Sequence, residues 1–581
     1  MHNLNDILSP CFDNLHKVEN VVRADSIPGI RRDYYAEIWK IITEIDVNNG
    51  IKEIELYFGF TEAFPYILPD VYFPDSRVGY LPHIESCGKK LCLLPDGTSY
   101  PVCNPYELIR DYLKRSKIII RRGINEENTN DFLSEINSYW IRKYDGEPEP
   151  LDTWLIYGNI PIETCELRAL YYNQNIQNDG KNATITKGLL LSPNDKETNI
   201  EHYLKSHNKV DEMVALFVKS VSVPRKAPYS LTMQDFLNLT SSEDDCKAIE
   251  RYINTNKGGL IFFPISKNSI GGIYIDKINP TKRGFRDGSL KATDILLKYD
   301  KKHQRQQRQY GSLYSENRIV ERTAGIETPK KTFVVAGLGS IGSQLTYFLS
   351  GWNNTDFILI DNDDLHSENI GRHLLGFQYI NQNKADAVTD YLHSIRPERR
   401  IVSHDSTFQN FIKNKIEVLN SGSALFLCTG DIMTEKFVID SLIKGYITLP
   451  LFILWLEPFG IAGHLVYINP MQMPNDFTLY GNGTNMLYKY NLLASDEYLN
   501  HSDRFTKKDA GCNGEYTLYS GNDVILLLSA LYPHINKLIQ QPGKSICYRW
   551  TGNINIAKEK NITLTTDVSS LTFGNVEELA L

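Results

Sequence analysis

The sequence predicts a multidomain protein of three folded units, the first of α+β class and the second and third of α/β class. The chain has 581 residues, enough for about four domains of average size. An acidic, proline-containing break lies at 145–150. A charged run at 298–309 is almost devoid of core-forming residues and is typical of a solvated helix or linker. We therefore expect units at 1–145, 150–300 and 312–581.

The composition is that of an ordinary globular protein, since 42% of the residues are apolar and 23% are charged. The formal net charge of −8 gives no bulk attraction for nucleic acid or anionic membranes. The most apolar stretch, 449–468, is interrupted by prolines, glycines and charged residues, and the chain start has no signal-like pattern. We expect a cytoplasmic protein that binds neither nucleic acid nor membrane.

Nine cysteines are scattered along the chain, and no two of them form a Cys-x-x-Cys pair. An odd number without such pairs argues against a disulfide framework and against a structural zinc site. In a reducing compartment the thiols of interest are therefore reactive ones.

The first unit mixes strand-like and helical segments. Residues 57–60 have the pattern of a strand, and an apolar helix is expected after Asn104-Pro105. Cys92 lies between them and is the candidate reactive thiol, with Cys87 and Cys103 as its nearest alternatives. We expect this unit to fold independently.

The middle unit has apolar segments typical of strands at 188–191, 259–264 and 271–275. It carries no chemical motif that can be interpreted. We expect it to position the two flanking units.

The third unit opens with the pattern of a nucleotide-binding turn. In order, it has an apolar strand, three glycines, a helix, a second apolar strand and an acid: Phe333–Ala336, Gly337, Gly339, Gly342, Ser343–Ser350, Phe357–Ile360 and Asp361. Such glycines let the backbone approach a phosphate at a helix N-terminus, and the acid can bind ribose hydroxyls. The alternative is a tight turn of purely structural value.

Charged side chains downstream indicate which nucleotide is bound; they include Asp363, which follows the second strand. Arg372 and Lys384 can hold a triphosphate by charge, and Asn369 can add a hydrogen bond. Asp431 follows a further apolar strand, where a carboxylate can hold Mg²⁺. The sequence therefore favours ATP with Mg²⁺ over the dinucleotide of a dehydrogenase.

Residues 330–545 resemble the adenylation domain shared by ubiquitin-activating enzymes and the bacterial ThiF and MoeB proteins. The match rests on the three glycines and a glycine-containing hairpin at 460–468, together with Asp361, Asp363, Asn369, Arg372, Lys384 and Asp431. The glutamine usual after the arginine is His373 here, and the family's zinc-binding cysteine pairs are missing. The resemblance implies a Rossmann-like fold in which a protein's C-terminal carboxylate attacks the α-phosphate of ATP and pyrophosphate leaves.

Cys512 is the thiol candidate of this unit, because an acyl adenylate is a good acceptor for a thiolate. It lies in a turn-rich segment, and Lys507 and Lys508 just upstream favour the thiolate. The Gly-Cys followed by Tyr-Ser and an apolar helix resembles the catalytic-cysteine loop of the family. The alternative is an exposed loop cysteine without a role, whereas Cys428 and Cys547 are expected in the core.

Residues 50–130 resemble the core of ubiquitin-conjugating enzymes. In that family a proline-rich strand is followed by a histidine, a glycine and the catalytic cysteine, which correspond to His83, Gly88 and Cys92. The family's His-Pro-Asn tripeptide is His83-Ile84-Glu85, so the asparagine that steadies the oxyanion is absent. The resemblance implies that Cys92 accepts an acyl group. We expect His83 to be structural rather than an acid or base.

A conjugating-like unit followed by an activating-like unit is similar to bacterial fusion proteins of CBASS anti-phage operons. This resemblance implies that the C-terminus of a cGAS-like nucleotidyltransferase passes through Cys512 and then Cys92 to a lysine on a target. It also implies a homodimer through the adenylation domain, with Arg318 or Arg322 reaching across.

Three alternatives remain open. A separate ubiquitin-like protein as substrate would use the same residues. Sulfur transfer to a ThiS-like carrier would not need the unit that contains Cys92. A NAD-dependent dehydrogenase or a degenerate binding scaffold would not need Arg372, Lys384 and Asp431, because hydride transfer requires no residues that bind a triphosphate.

Overall fold

The computed structural model describes residues 4–30, 34–78, 81–85, 89–94, 98, 104–141, 152–178, 181–195, 197–223, 232–278, 291–299, 306–323, 325, 328–473, 477–481, 488–508 and 515–581. The chain divides into two compact units. The first comprises Met1–Lys196 and Asn208–Arg318, and the second comprises Glu197–His207 and Ile319–Leu581. Among the residues just given, no helix combines the length and apolarity needed to cross a membrane.

The first unit begins with an antiparallel sheet and two longer helices, α1 (Leu4–Leu15) and α2 (Pro105–Ile124). The strands pair in chain order: β1 (Asn20–Arg23), β2 (Glu37–Val47), β3 (Gly50–Phe60) and β4 (Asp70–Tyr72). Asn104 caps α2 by accepting a hydrogen bond from the Glu107 N–H, and proline follows the cap. Apolar residues of both helices and the sheet form one core, which confirms the α+β class: Leu8, Phe12, Ile41, Leu56, Phe58, Leu108 and Ile120.

Two short helices, α3 (Asp131–Ser134) and α4 (Ile136–Ile141), precede a closed seven-stranded barrel. Its strands are β5 (Thr153–Tyr157), β6 (Cys165–Asn178), β7 (Lys181–Leu191), β8 (Asp211–Phe217), β9 (Gly259–Ser266), β10 (Ser269–Ile275) and β11 (Gln306–Tyr314). The helices along this stretch are α5 (Asn199–His207), which belongs to the second unit, α6 (Met233–Leu239), α7 (Glu243–Asn256) and α8 (Ala292–Tyr299). Large apolar side chains fill the barrel: Trp154, Ile156, Leu167, Phe217 and Phe262.

Residues 306–309 are not part of a solvated linker, so the expectation from their charge is wrong there. They begin β11, which pairs with β10 and β5. Gln309 is 1% exposed; its side-chain oxygen accepts from Trp154 Nε1 at 2.8 Å and its carbonyl accepts from Trp140 Nε1 at 2.6 Å. These polar groups are buried because their hydrogen bonds replace those to water.

The second unit is built on an eight-stranded sheet with the order β14-β13-β12-β15-β16-β17-β20-β21. These strands are β12 (Lys331–Ala336), β13 (Thr355–Ile360), β14 (Ile401–His404), β15 (Ala424–Leu427), β16 (Leu451–Leu456), β17 (Ala462–Ile468), β20 (Ile546–Thr551) and β21 (Val576–Ala580). A separate two-stranded sheet pairs β18 (Thr506–Lys508) with β19 (Glu515–Thr517). The helices are α9 (Glu316–Arg322), which spans the unit boundary, α10 (Ser340–Ser350), α11 (Lys384–Ile395), α12 (Phe408–Asn420), α13 (Ile432–Ile443), α14 (Ser495–Asn500), α15 (Ser502–Phe505), α16 (Gly521–Gln540) and α17 (Ile554–Glu559).

The five strands from β14 to β16 are parallel, and the sheet continues antiparallel from β17. Apolar residues of α10, α11 and α16 cover one face, and those of α12 and α13 cover the other. From the central strand β12 the chain builds outward through β13 and β14, and then returns to β15 on the other side. Ligands bind at the carboxyl ends of strands where the order reverses in this way. The layered parallel sheet confirms the Rossmann-like architecture.

Candidate active site

The glycine turn after β12 requires glycine at two of its three glycine positions. Gly337 adopts the left-handed conformation with φ +83°. A Cβ at Gly342 would lie 1.8 Å from the Gly337 carbonyl oxygen, so the turn and α10 pack together only without a side chain there. A Cβ at Gly339, the N-cap of α10, would meet nothing within 4 Å. Within the described residues no side chain caps α10, so its first N–H groups suit an anion.

Asp361 holds this turn in place from the end of β13. Its Oδ2 accepts from the Leu338 N–H at 2.6 Å, and its Oδ1 accepts from the Asp363 N–H at 2.9 Å. Burial raises the pKa of the Asp361 carboxyl, and the two backbone bonds act in the opposite direction. The carboxylate therefore has a structural task in addition to the ribose contact that we predict for it.

Lys384 places a buried cation at the start of α11. Asn383 caps this helix by accepting from the N–H groups of Ala385 and Asp386. Lys384 is 6% exposed, and its ammonium pairs with the carboxylate of Asp363, which is more than half exposed. A phosphate that enters from the solvent side can therefore bind the same ammonium.

Arg372 contacts the segment that follows the Cys512 region. Its Nη1 donates to the Thr517 carbonyl oxygen at 2.8 Å, and its guanidinium carbon lies 4.8 Å from the centre of the Tyr519 ring. Asn369, one turn earlier, accepts from the His366 N–H at 3.0 Å through its Oδ1. Contacts of Arg372 and Asn369 with a nucleotide remain predictions.

His373 occupies the position where the family usually has glutamine, and it also supports the glycine turn. Its Nε2–H donates to the Leu338 carbonyl oxygen at 2.7 Å, and its Nδ1 accepts from the Leu375 N–H at 3.0 Å. Burial lowers the pKa of the imidazole to about 4, so the ring is neutral at pH 7. A neutral imidazole thus supplies one donor and one acceptor, as a glutamine amide does.

Asp431 lies at the carboxyl end of β15 and caps α13. Its carboxylate accepts from the N–H groups of Met433 and Thr434, both at 3.2 Å, and from Thr434 Oγ1 at 2.5 Å. These bonds fix the carboxylate beside Gly430, which has φ +62°.

A cavity of about 1300 Å³ in the second unit brings most of the predicted residues together. Gly339, Asp363, Asn369, Arg372 and Lys384 all line it. Gly337, Gly342 and Asp361 shape the turn from behind the lining, and Asp431 lies between the lining residues Gly430 and Ile432. Several lining residues were not predicted from the sequence: Ser340, Trp455, Tyr488, Tyr498, Tyr516 and Tyr519. Only Tyr516 and Tyr519 could have been found from the sequence, because they closely follow Cys512.

The residues of this cavity fit a triphosphate. The uncapped N-terminus of α10, a buried lysine and an arginine line one cavity, and the glycine turn leaves open space at Gly339. Within the described chain, no group of three or more histidine, cysteine or acidic side chains could hold a metal ion. One carboxylate suits Mg²⁺ all the same, because this ion usually keeps several waters and binds substrate phosphates.

Of the two predicted catalytic cysteines, the structure describes only Cys92. Cys512 lies outside the described residues, although the strands on either side of it pair with each other, Lys508 opposite Glu515. Cys428, which lines the cavity, is partly buried, and its desolvation raises the pKa of its thiol. Cys547 is buried in the core, as predicted.

Cys92 is a partly exposed cysteine in the first unit. Its N–H donates to the His83 carbonyl oxygen at 2.8 Å, next to a bridge between Ile84 and Leu91. The ring of His83 lies between two carboxylates, with Nε2 3.0 Å from Asp131 Oδ2 and Nδ1 3.0 Å from Glu135 Oε1. Both ring nitrogens thus contact residues of the fold, which agrees with a structural role for His83.

Two family comparisons cover both ends of the chain. Residues 324–514 match the ThiF family, and residues 34–147 match the prokaryotic E2 family B. No curated protein sequence matches the chain.

Several solved structures show limited similarity. E. coli TcdA, a tRNA N6-threonylcarbamoyladenosine dehydratase in complex with AMP, is 21% identical with a TM-score of 0.20 over 21% of this chain and 50% of that one. E. coli MccB with ATP is 10% identical with a TM-score of 0.27 over 38% and 61% of the two chains. MccB with MccA is 12% identical with a TM-score of 0.29 over 43% and 63%. The chain thus spans less than two thirds of the length of each of these proteins.

Proposed function

We propose that this chain, which joins a prokaryotic E2-like domain to a ThiF domain, activates a protein C-terminus with ATP and conjugates it to a lysine. The observation that carries the proposal is one cavity lined by Lys384, Arg372 and the first residues of α10, next to the glycine turn. These groups suit the phosphates of ATP. The E2-like domain with Cys92 supports a conjugation step beyond adenylation.

The first step is adenylation of the substrate's terminal carboxylate. A carboxylate oxygen attacks the α-phosphorus, the bond to the β-phosphate oxygen breaks, and pyrophosphate leaves. Lys384, Arg372 and the N–H groups of α10 oppose the negative charge that develops on the phosphates. Asp431 would hold Mg²⁺, which supplies further charge neutralisation there.

The next steps move the acyl group between thiols. The thiolate of Cys512 attacks the acyl carbon of the adenylate, and AMP leaves. The thiolate of Cys92 then replaces that of Cys512 in the thioester. Finally a lysine amine attacks, the Cys92 thiolate leaves, and the amine loses a proton to solvent as the amide forms.

We further propose that the activated protein is a cGAS-like nucleotidyltransferase of a CBASS anti-phage operon, and that the enzyme acts in the cytoplasm as a homodimer. Support comes from the order of the two domains and from the resemblance described above. An enzyme of this kind must accept a folded protein whose carboxyl terminus reaches the cavity.

The test combines the purified chain with Mg²⁺-ATP and a cGAS-like nucleotidyltransferase as the candidate substrate. We expect ATP-dependent release of pyrophosphate and higher-mass products that mass spectrometry assigns to a C-terminus-to-lysine amide. A matched substrate that lacks its last residues should give neither. Conjugation only of a separate ubiquitin-like protein would replace the proposed substrate. Binding of NAD without any ATP-dependent pyrophosphate release would contradict the function as a whole.

A further inference from the structure

The segment that follows Cys512 in the chain is bound directly to the nucleotide-binding elements of the second unit. Arg372 donates to the Thr517 carbonyl, and its guanidinium lies against the rings of Tyr519 and Tyr516, 4.8 and 5.9 Å from their centres. The hydroxyl of Tyr519 is 2.7 Å from the hydroxyl of Ser340. Ser340 is the first residue of α10 and lines the same cavity.

The packing at these contacts leaves little room for rearrangement. A Cβ at Gly521 would lie 3.1 Å from the Gly371 carbonyl oxygen and 3.2 Å from Arg372 Cα. On the other side, the Phe459 N–H donates to the Leu518 carbonyl, and the Leu518 N–H donates to the Phe505 carbonyl at 3.2 Å. The segment is therefore held from two directions, and Arg372 and Ser340 are its contacts toward the glycine turn.

One residue contacts both nucleotide-binding elements. The ring of Tyr519 lies over the Arg372 guanidinium, an attraction that also orients this planar cation. Its hydroxyl bonds to the first residue of the helix whose N-terminus faces the turn. A guanidinium has five N–H groups, so the bond to Thr517 leaves donors for a phosphate.

We propose that Tyr519 is a positioning residue that orients Arg372 for the phosphates of ATP and couples nucleotide binding to the segment after Cys512. This inference rests on the proposed function only in that ATP is the nucleotide. By linkage, if the ordered segment favours ATP binding, bound ATP favours the ordered segment by the same factor. Bound ATP thereby stabilises residues 515–519 against local opening.

The test measures binding of Mg²⁺-ATP to the full chain by isothermal titration. Tyr519→Leu removes the ring and the hydroxyl, and should weaken ATP binding about tenfold. Tyr519→Phe keeps the ring and should weaken it only about threefold. The matched control is Tyr446→Leu, at an exposed tyrosine of the same unit, which should bind ATP like the wild type.

Amide hydrogen exchange provides a second readout that loss of packing alone would not produce. ATP should slow the exchange of residues 515–519 in the wild type and should fail to do so in Tyr519→Leu. If Tyr519→Leu does not fold, a double-mutant cycle of Tyr519→Phe with Ser340→Ala replaces it. Non-additive effects on ATP affinity in that cycle support the coupling.

Wild-type affinity in Tyr519→Leu, additive effects in the cycle, or no ATP-dependent change at 515–519 would each overturn the proposal. These measurements need no protein substrate, so failed conjugation with intact ATP binding counts only against the proposed function. A wild-type chain that binds no ATP would overturn both.

Discussion

We assign Asp431 two roles, and substitution by alanine alone would remove both at once. Its carboxylate caps α13, which is worth about 1 kcal/mol of stability, and we expect it to hold Mg²⁺ during adenylation. Asp431→Asn preserves the cap, because asparagine is an equally good cap residue, but it removes the charge. We expect both Asp431→Ala and Asp431→Asn to lose Mg²⁺-dependent pyrophosphate release by on the order of 10²-fold or more. Full activity in Asp431→Asn would show that the carboxylate is only a cap.

His373 should make the second unit sensitive to acid. Its pKa falls from 6.5 in the unfolded chain to about 4 in the fold because burial disfavours the charged ring. A lowered pKa contributes stability that is fully present above pH 6.5 and is lost as the pH falls toward 4. The full difference corresponds to about 3 kcal/mol. His373→Gln can still donate to Leu338, so it should flatten the pH dependence of urea unfolding in that range.

The control for this variant is its stability at pH 7, which should remain close to that of the wild type because a glutamine amide can also donate one hydrogen bond and accept the other. Parallel pH profiles for the two proteins between pH 7 and pH 4 would show that His373 is not the group responsible.

The sequence could predict residues whose role follows from local spacing, and it could not predict their distant partners. Gly337 and Gly342 follow a strand and open a helix, so local pattern was enough to find them. The bond between Arg372 and Thr517 joins residues 145 positions apart, and no local pattern encodes it. The same holds for Ser340 and Tyr519.

At the scale of the strand–turn–helix element, we expect alanine substitutions at two glycines to have opposite effects on stability and ATP binding. Gly342→Ala would place a methyl group 1.8 Å from the Gly337 carbonyl, so the turn must open, at a cost of about 1–3 kcal/mol. Gly339→Ala meets open space and should leave the melting temperature nearly unchanged, but its methyl occupies the room that we assign to phosphate. Thermal melts with ATP titrations check both. A Gly339→Ala protein that binds ATP normally would move the phosphate site away from this turn.

Strands could be predicted from the sequence where their buried residues are apolar. Strands β12, β13 and β15 are wholly or largely apolar because they lie in the middle of a sheet covered on both faces. Strand β11 breaks that rule, since Arg308 and Gln309 are buried but paired with backbone groups and with the side chain of Trp154. From the sequence alone, a polar strand of this kind cannot be distinguished from a linker, because its hydrogen-bond partners are distant in the chain.

At the scale of the whole chain, α4 ties the amino-terminal fold to the barrel within the first unit. Trp140 is fully buried, donates to the Gln309 carbonyl and lies 5.2 Å from the Phe263 ring centre. Trp140→Ala should destabilise the full chain by about 3–5 kcal/mol. In a 1–145 fragment, which we expect to fold on the core of α1, α2 and β1–β4, the same substitution should have little effect. Equal losses in both would assign α4 to the amino-terminal core.

The chain-level account depends on the order in which the acyl group moves. An adenylate forms only where ATP binds, so we propose that a reactive thiol of the same unit, Cys512, is loaded first. One thioester replaces another at little free-energy change, whereas the final amide is far more stable. The order that we propose is therefore adenylate, Cys512, Cys92 and lysine.

Thioester trapping in two cysteine variants tests this order most directly. Each purified variant is incubated with Mg²⁺-ATP and the protein substrate, and adducts are located by non-reducing gels and mass spectrometry with and without thiol reductant. Cys92→Ala should form a reducible adduct at Cys512 and no lysine conjugate, and Cys512→Ala should load neither thiol. If Cys92 is charged normally in the Cys512→Ala protein, the relay is wrong and Cys512 is only a loop residue.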